Sequence, residues 1–289
     1  MNKKKIKIVT HAGGFHSDEL FAIALIKKFF CSNIDIQRTR DSSILAEYLS
    51  DSSVWVIDVG GVYEKKFKNF DHHQVSFNDT WNGTNILFSS CGLVWQYLKE
   101  EGFLSKLLSN FQINEFENKL IKRIDAHDNG SGRWSHAVMF KLFNRDECDS
   151  NNGFFDALQL ACNYIDNSIY YFANEELNIS KLYKHKYIFD GKVVLIDDDL
   201  FHVIPSISAN TDAKVIIEYK KSDNAWSVQS LSPSILSPIS WRGVSEVELH
   251  KKSGDDKLIF AHRSGHLVKT KTRDSAIAVA KQMVDELGS

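Results

Sequence analysis

At 289 residues the chain exceeds the usual size of one domain, so two domains are expected, each able to bury its own core. A hydrophobic fraction of 43% and a charged fraction of 25% are ordinary for a globular protein, and no apolar run is long enough to cross a bilayer. The formal charge of −2 argues against a protein that grips long nucleic acid by bulk electrostatics, which needs many unpaired cations, although a local basic groove stays compatible with it.

The N-terminus, Met1-Asn2-Lys3-Lys4-Lys5, is basic but leads into a strand rather than the apolar core of a signal peptide. Ile6 to Thr10 alternates as that first strand and delivers His11 at its carboxyl end. Gly13-Gly14 then supplies a sharp turn, and from Ser17, read as the N-cap, a mostly buried helix runs through Leu20 to Phe30. Ile34 to Arg38 is a second strand, Ile44 to Leu49 a helix and Val54 to Asp58 a third strand. This β-α-β-α-β alternation predicts an α/β fold with a doubly wound, mainly parallel sheet and right-handed crossovers, which puts His11 and Asp58 on one edge. Further helices are expected from Ser89 to Leu98 and from Ile113 to Ile124, the latter followed by Asp125-Ala126-His127-Asp128 and a stop at Gly130.

The stretch Phe154 to Tyr187 is helical in pattern and free of proline. Beyond it, strand-like runs at 193–196, 214–219, 226–231 and 258–261, with a closing helix at 273–287, predict a smaller α+β C-terminal domain. The expected division is a catalytic domain at 1–150, a helical connector at 151–190 and a substrate domain at 191–289. Cys31, Cys91, Cys148 and Cys162 form no CxxC pair and sit in apolar contexts, so they read as reduced core residues of a cytoplasmic protein.

Four short polar segments carry the chemistry: His11 to Asp18, Val56-Ile57-Asp58, Asp71-His72-His73 and Asp125 to Asp128. Each follows an apolar stretch, so its polar groups emerge at element ends, where α/β folds build sites. Imidazoles and carboxylates without a nearby cysteine favour hard or borderline cations such as Mn²⁺ or Mg²⁺. Taken singly, His11 reads equally well as a hydrogen-bonded strand-end histidine and Asp58 as a helix cap. Taken together, Asp18, Asp58, Asp71 and Asp125 would repel one another in a crowded cleft and raise one another's pKa values. A cation is the simplest remedy.

Asp71-His72-His73 together with the other His/Asp segments resembles the DHH phosphoesterase superfamily, which contains RecJ-type nucleases, family II pyrophosphatases and oligonucleotide phosphodiesterases. More narrowly, His11, Gly14-Phe15-His16-Ser17-Asp18, Arg38-Thr39-Arg40-Asp41, Asp58-Val59-Gly60-Gly61, Asp71-His72-His73-Gln74 and Asp125 with Asp128-Asn129-Gly130 resemble the melanocyte proliferating gene (MYG) family. Trp226 to Gln229 and Trp241-Arg242-Gly243 extend the likeness over nearly the whole chain. The resemblance implies a DHH-type fold and a metal-dependent phosphodiesterase or 3′→5′ exonuclease acting on RNA or short oligonucleotides. A small-molecule phosphohydrolase for pyrophosphate or a nucleotide, and a metal-stabilised nucleic-acid-binding protein without turnover, remain alternatives.

Two Mn²⁺ ions, with Mg²⁺ or Co²⁺ in their place, would activate water and neutralise phosphoryl charge. The resemblance assigns His11, His16 and Asp58 to one ion, and Asp18, Asp58, His72 and a carboxylate of the fourth segment to the other. Asp125 and Asp128 are both candidates for that carboxylate, with Asp125 preferred. His73 would contact the scissile phosphate or protonate the leaving oxygen, and Asp71 would orient one of the imidazoles. Arg38 and Arg40 are candidate phosphate contacts, with a structural ion pair as the other reading of Arg38. In the C-terminal domain, Trp241 and Arg242 would stack a base and pair a phosphate, and Gly265 and His266 would contact a phosphate. Domain-edge packing for Trp241 and a solvated basic loop around Gly265 are the alternatives. The residues leave the oligomeric state open, a homodimer included, and suggest no membrane partner.

Overall fold

The computed structural model describes residues 5–145, 150–196 and 203–285. The chain separates into two compact units, Met1–Phe172 and Ala173–Ser289. Cys148 and His202 lie outside the described residues.

The first unit is built on strands β1 (Ile6–Thr10), β2 (Ile34–Arg38), β3 (Val54–Ile57), β4 (Tyr63–Glu64) and β5 (Asn69–Phe70), in the order β2-β1-β3-β5-β4. All neighbours are parallel except β4, which pairs antiparallel with β5. Successive side chains of a strand point to opposite faces, and both faces here are apolar. Ile8, Trp55, Ile57 and Phe70 join the core under helices α1 (Ser17–Leu25) and α3 (Ser90–Glu100), whereas Val9, Val54 and Val56 pack with Leu45 of helix α2 (Ser42–Leu49). That two-sided covering makes the sheet doubly wound. Because β2 and β3 flank β1 on opposite sides, the chain reverses direction of winding at β1, the position where open α/β sheets leave a crevice at their carboxyl ends. Thr10 pairs with Ile57, so His11 and Asp58 leave adjacent strands side by side.

Helices α4 (Asn110–Phe116) and α5 (Lys122–Asp128) are joined without a break by a π turn, Glu117–Ile121. The fourth polar segment thus lies inside the last helical turn rather than after it. A short helix α6 (Ala137–Lys141) precedes the long α7 (Ser150–Lys181). Helix α1 begins one residue earlier than the sequence suggests: His16 is the N-cap, and its backbone N–H donates to the Glu19 carboxylate.

The second unit is a six-stranded mixed sheet of β6 (Lys186–Ile188), β7 (Val193–Ile196), β8 (Val215–Lys220), β9 (Ala225–Ser230), β10 (Leu258–Ala261) and β11 (Leu267–Thr270), ordered β10-β11-β9-β8-β7-β6. Only β7 and β8 are parallel, joined through helix α8 (Val203–Asn210). One face packs on helices α9 (Glu246–Ser253) and α10 (Arg273–Asp285). The expected basic loop before the last helix is instead a β10–β11 hairpin. Gly265 takes φ +81° in its turn, a conformation that L side chains resist.

Among the described residues no helix is long and apolar enough to cross a membrane. Cys91 is buried, but Cys31 and Cys162 are only half-buried, which corrects the reading of all the cysteines as core residues.

Candidate metal centre

Three groups of ligand-type side chains share members and form one continuous cluster: His11, His16, Glu19 and Asp58; Asp58, His72 and His73; and His16, Asp18 and Asp128. Asp58 stands at the junction. Its Oδ2 lies 3.4 Å from His11 Nε2, and its Oδ1 lies 3.4 Å from His72 Nε2 and accepts a hydrogen bond from Ser90 Oγ at 2.9 Å. Its φ of 57° is left-handed, a conformation Asp tolerates better than bulkier residues and one that collects at functional sites. The strained turn at the end of β3 aims the two carboxylate oxygens at different histidines.

His72 Nε2 also lies 3.3 Å from Asp128 Oδ2 and 3.8 Å from Asp18 Oδ2. Both Asp18 oxygens and His72 Nε2 are buried without a hydrogen-bond partner. Buried carboxylate oxygens left unpaired are costly, and a divalent cation is the group that this oxygen and imidazole set suits. The residues present therefore fit a metal.

The electrostatics agree. Burial first, then the charges of Asp58 and Asp128, push the Asp18 carboxyl well above its ordinary range, and burial likewise raises Glu19 and Asp128. Burial opposes charge on His11 and Asp58 too, but contact with Asp58 and Glu19 outweighs it at His11, lifting that pKa to about 9. Contact with His11 and His72 holds Asp58 below the usual carboxylate range. Asp71 is also lowered, despite burial, by His73 and the Gly61 N–H. The expectation that all the carboxylates raise one another thus holds for Asp18 and fails for Asp58 and Asp71, whose imidazole neighbours compensate them.

These shifts give a signed prediction. Asp18, Glu19 and Asp128 have raised folded-state values, so the cation-free fold is favoured by them below the ordinary carboxylate range and loses that contribution as pH rises through the raised values. A bound cation replaces those protons. Mn²⁺ at about a thousandfold over its Kd is expected to stabilise the fold by about 4 kcal/mol relative to chelated protein, and by more near pH 8 than near pH 5. Thermal melts with Mn²⁺ and with chelator at both pH values measure this; a pH-independent difference, or none, would contradict it.

Asp71 belongs to His73. Its Oδ1 lies 2.7 Å from His73 Nδ1 and accepts the His73 N–H at 3.1 Å, while Oδ2 accepts the Gly61 N–H at 2.6 Å. The Asp71 contact raises the His73 pKa. The His73 side chain is 63% exposed, with Nδ1 committed to Asp71.

Asp125 is not in the cluster, which corrects the preference for it over Asp128. It is fully buried, with Oδ1 accepting from Ser89 Oγ at 2.5 Å and from the Gly92 N–H at 3.0 Å, and Oδ2 accepting from Trp81 Nε1 at 2.7 Å. Burial raises its pKa to about 7 against those bonds. Two residues three apart do not point the same way here: Asp125 ties α5 to the start of α3, and Asp128 faces the histidines.

Arg38 and Arg40 are engaged with the first polar segment itself. Arg38 donates to His11 O at 3.2 Å, to Gly13 O, and to Asn151 Oδ1 at 3.1 Å, and lies 4.4 Å from the centre of the Phe154 ring. Arg40 donates to Ala12 O at 2.9 Å, and its Nη2 stands 2.9 Å from His11 Nδ1. Both brace the loop, which takes up the forks expected to hold phosphate. Trp241 is only 5% exposed, within the core of the second unit, so it offers no stacking face. Arg242 donates Nε and Nη2 to Ser237 O, at 2.8 and 2.6 Å. Its guanidinium lies against the Gly265 turn, and Ser264 Oγ contacts both His262 Nδ1 and His266 Nδ1.

Glu19 was absent from the expected ligand set. It is buried, its Oε1 lies 2.9 Å from His11 Nε2, and an acidic residue in a first helical turn reads in sequence as a cap. Ser90 and Trp81, which fix Asp58 and Asp125, carry no sequence signal of that role.

The chain resembles several known proteins along most of its length. The chain is 27% identical over 327 residues to MYG1 protein C27H6.8 of Caenorhabditis elegans, covering 96% of this chain and 95% of that one. It is 26% identical over 326 residues to the MYG1 exonuclease of Mus musculus, covering 95% and 84%. A MYG1 protein of Chlamydia trachomatis is 38% identical over 160 residues, 53% of this chain and 50% of the relative. Among solved structures, a pGpG-specific phosphodiesterase, PggH, from Vibrio cholerae aligns at TM-score 0.33 and 14% identity over 98% of this chain and 99% of the other. RecJ in complex with Mn²⁺ from Thermus thermophilus aligns at 0.29 and 12%, over 97% and 52%. The MYG1_exonuc family model, described as an uncharacterised protein family (UPF0160), matches residues 7–284, from the first strand to the last helix, and the chain belongs to that family.

Proposed function

We propose that this chain is a divalent-cation-dependent phosphodiesterase that removes nucleotides 3′→5′ from short RNA or other small oligonucleotides. The observation that carries the reading is Asp58, shared between a histidine group on either side, with the exposed His73 beside it. Two ions, Mn²⁺ first and Mg²⁺ or Co²⁺ as substitutes, would supply phosphoryl charge neutralisation and a water acidic enough to attack at neutral pH. His11, His16, Glu19 and Asp58 would hold one ion. Asp18, Asp58, His72 and Asp128 would hold the other.

The protein's own part follows from the remaining contacts. Asp71 fixes the His73 ring through Nδ1 and favours its protonated form, so Nε2–H is placed to donate to a phosphoryl or leaving oxygen. Beside His16 and Asp128 a cleft of about 220 Å³ runs past Phe15 and Phe140 to His127 and Lys141. It gives room for a group beyond the phosphate being cut, which pyrophosphate lacks, and this favours an oligonucleotide. In the second unit the turn carrying Arg242, Gly265 and His266 is the proposed contact for a further phosphate.

Lys141→Ala is expected to raise KM for an oligonucleotide about fivefold, the worth of one exposed cation–phosphate contact near 1 kcal/mol, and to leave kcat nearly unchanged. Steady-state kinetics at two salt concentrations would show it; an unchanged KM removes Lys141 from the substrate path. The reading as a whole is tested with a short 5′-labelled RNA and a pyrophosphate control, both with Mn²⁺. A ladder shortening from the 3′ end supports it. Phosphate release from the control alone would replace it with small-molecule hydrolysis, and silence on both with a binding protein.

A further inference from the structure

The loop between β1 and α1 carries His11 and His16 and contains two adjacent glycines, so its own sequence does little to fix it. Several of its backbone polar groups are met by side chains from outside the loop. The arginines at the end of β2 take the carbonyls of His11, Ala12 and Gly13. Both polar groups of Phe15 go to one residue 129 positions away: the Phe15 N–H donates to Asn144 Oδ1 at 2.8 Å, and Asn144 Nδ2 donates to Phe15 O at 2.8 Å. Phe15 lies directly before His16, and its buried ring packs edge-on against Phe154 at 5.5 Å.

We infer that Asn144 is a positioning residue for the cation site, holding His16 and the loop behind it in ligating geometry through the Phe15 backbone. Only a primary amide offers an acceptor and a donor in one plane to both sides of a peptide segment. Asp keeps the acceptor for the Phe15 N–H but loses the donor to Phe15 O. Ala loses both, and the freed loop can sample the many backbone states open to two glycines, most of which misplace His16. Groups that orient ligands without touching the ion commonly change metal affinity by about 10–100-fold.

The inference rests on the metal reading above, and the test separates the two. Mn²⁺ affinity is measured by the electron paramagnetic resonance signal of free Mn²⁺ for the full chain, Asn144→Ala and Asn144→Asp, with thermal melts of the chelated proteins alongside. The expected result is a Kd weakened at least about tenfold in Asn144→Ala, an intermediate value in Asn144→Asp, and cooperative melts for both. Tight Mn²⁺ binding by the parent with unchanged affinity in both variants, whatever their melting temperatures, would reduce Asn144 to a structural contact and overturn the inference alone. No Mn²⁺ binding by the parent would overturn both.

Discussion

Asp58→Asn is expected to lower kcat on a short oligonucleotide by about 10³-fold or more while the protein stays folded and still binds its substrate. The separation follows from the local structure. Asn tolerates the left-handed backbone at this position nearly as well as Asp, and its carbonyl oxygen can still accept the Ser90 hydroxyl. What is lost is one anionic oxygen at the point where the two histidine groups meet. Turnover of labelled RNA, anisotropy of the same RNA and a thermal melt distinguish the outcomes. Retained turnover would remove Asp58 from the chemistry, and loss of folding would make the centre a structural one. Asp58→Leu would be a poor probe, because a branched apolar side chain at φ 57° adds strain to the chemical loss.

Gly92→Ala should be a strongly damaging one-carbon change in the first unit. A methyl group on Gly92 would lie 1.9 Å from Asp125 Oδ2 and 2.7 Å from Phe88 Cδ1, and Asp125 is fully buried. Asp125 is held on three sides by Trp81, Ser89 and the Gly92 N–H, so displacing it strands a buried carboxylate. Overpacking and a disrupted buried charge each cost about 1–5 kcal/mol, and a loss above about 3 kcal/mol is expected. Urea denaturation of the variant measures it; a change under 1 kcal/mol would show that α3 and α5 can part without cost. Asp125→Asn probes the same spot more gently, because the amide must turn an N–H toward one of three donors.

The parallel sheet was legible because its central strands are buried, which writes Val54 to Ile57 into the sequence as an unbroken apolar run beside the alternating run Ile6 to Thr10. The polar residues that end those runs were legible for the same reason, and His11, His16, Asp18, Asp58, His72 and His73 do come together. Two-residue strands such as β4 and β5 carry no periodicity to read. Helix α9 is too polar to announce itself, and β11 was hidden by the lysine in Leu-Val-Lys-Thr. The choice between Asp125 and Asp128 depended on partners 33 to 44 positions away, and the roles of Arg38 and Arg40 on backbone carbonyls that no side-chain pattern reveals. Glu19 and Trp241 share one cause: residue type describes the average preference for water, whereas packing decides the particular case.

The π turn between α4 and α5 makes the rotational phase of the fourth polar segment a matter of chain length. A π turn accommodates one residue more than an α-helical path of the same rise, and each residue of an α-helix turns the chain by about 100°. Glu117 to Ile121 therefore works as a fixed offset in a screw thread. Were the same residues wound as regular α-helix, the extra one would be carried into α5 as a rotation of about 100°, swinging Asp128 away from His72 and Asp125 away from Trp81 together, without altering a single ligand. A chain can hold every expected His and Asp and still lack the centre, so a relative of the same length here but without the π turn should be judged by helix phase before it is judged by motif.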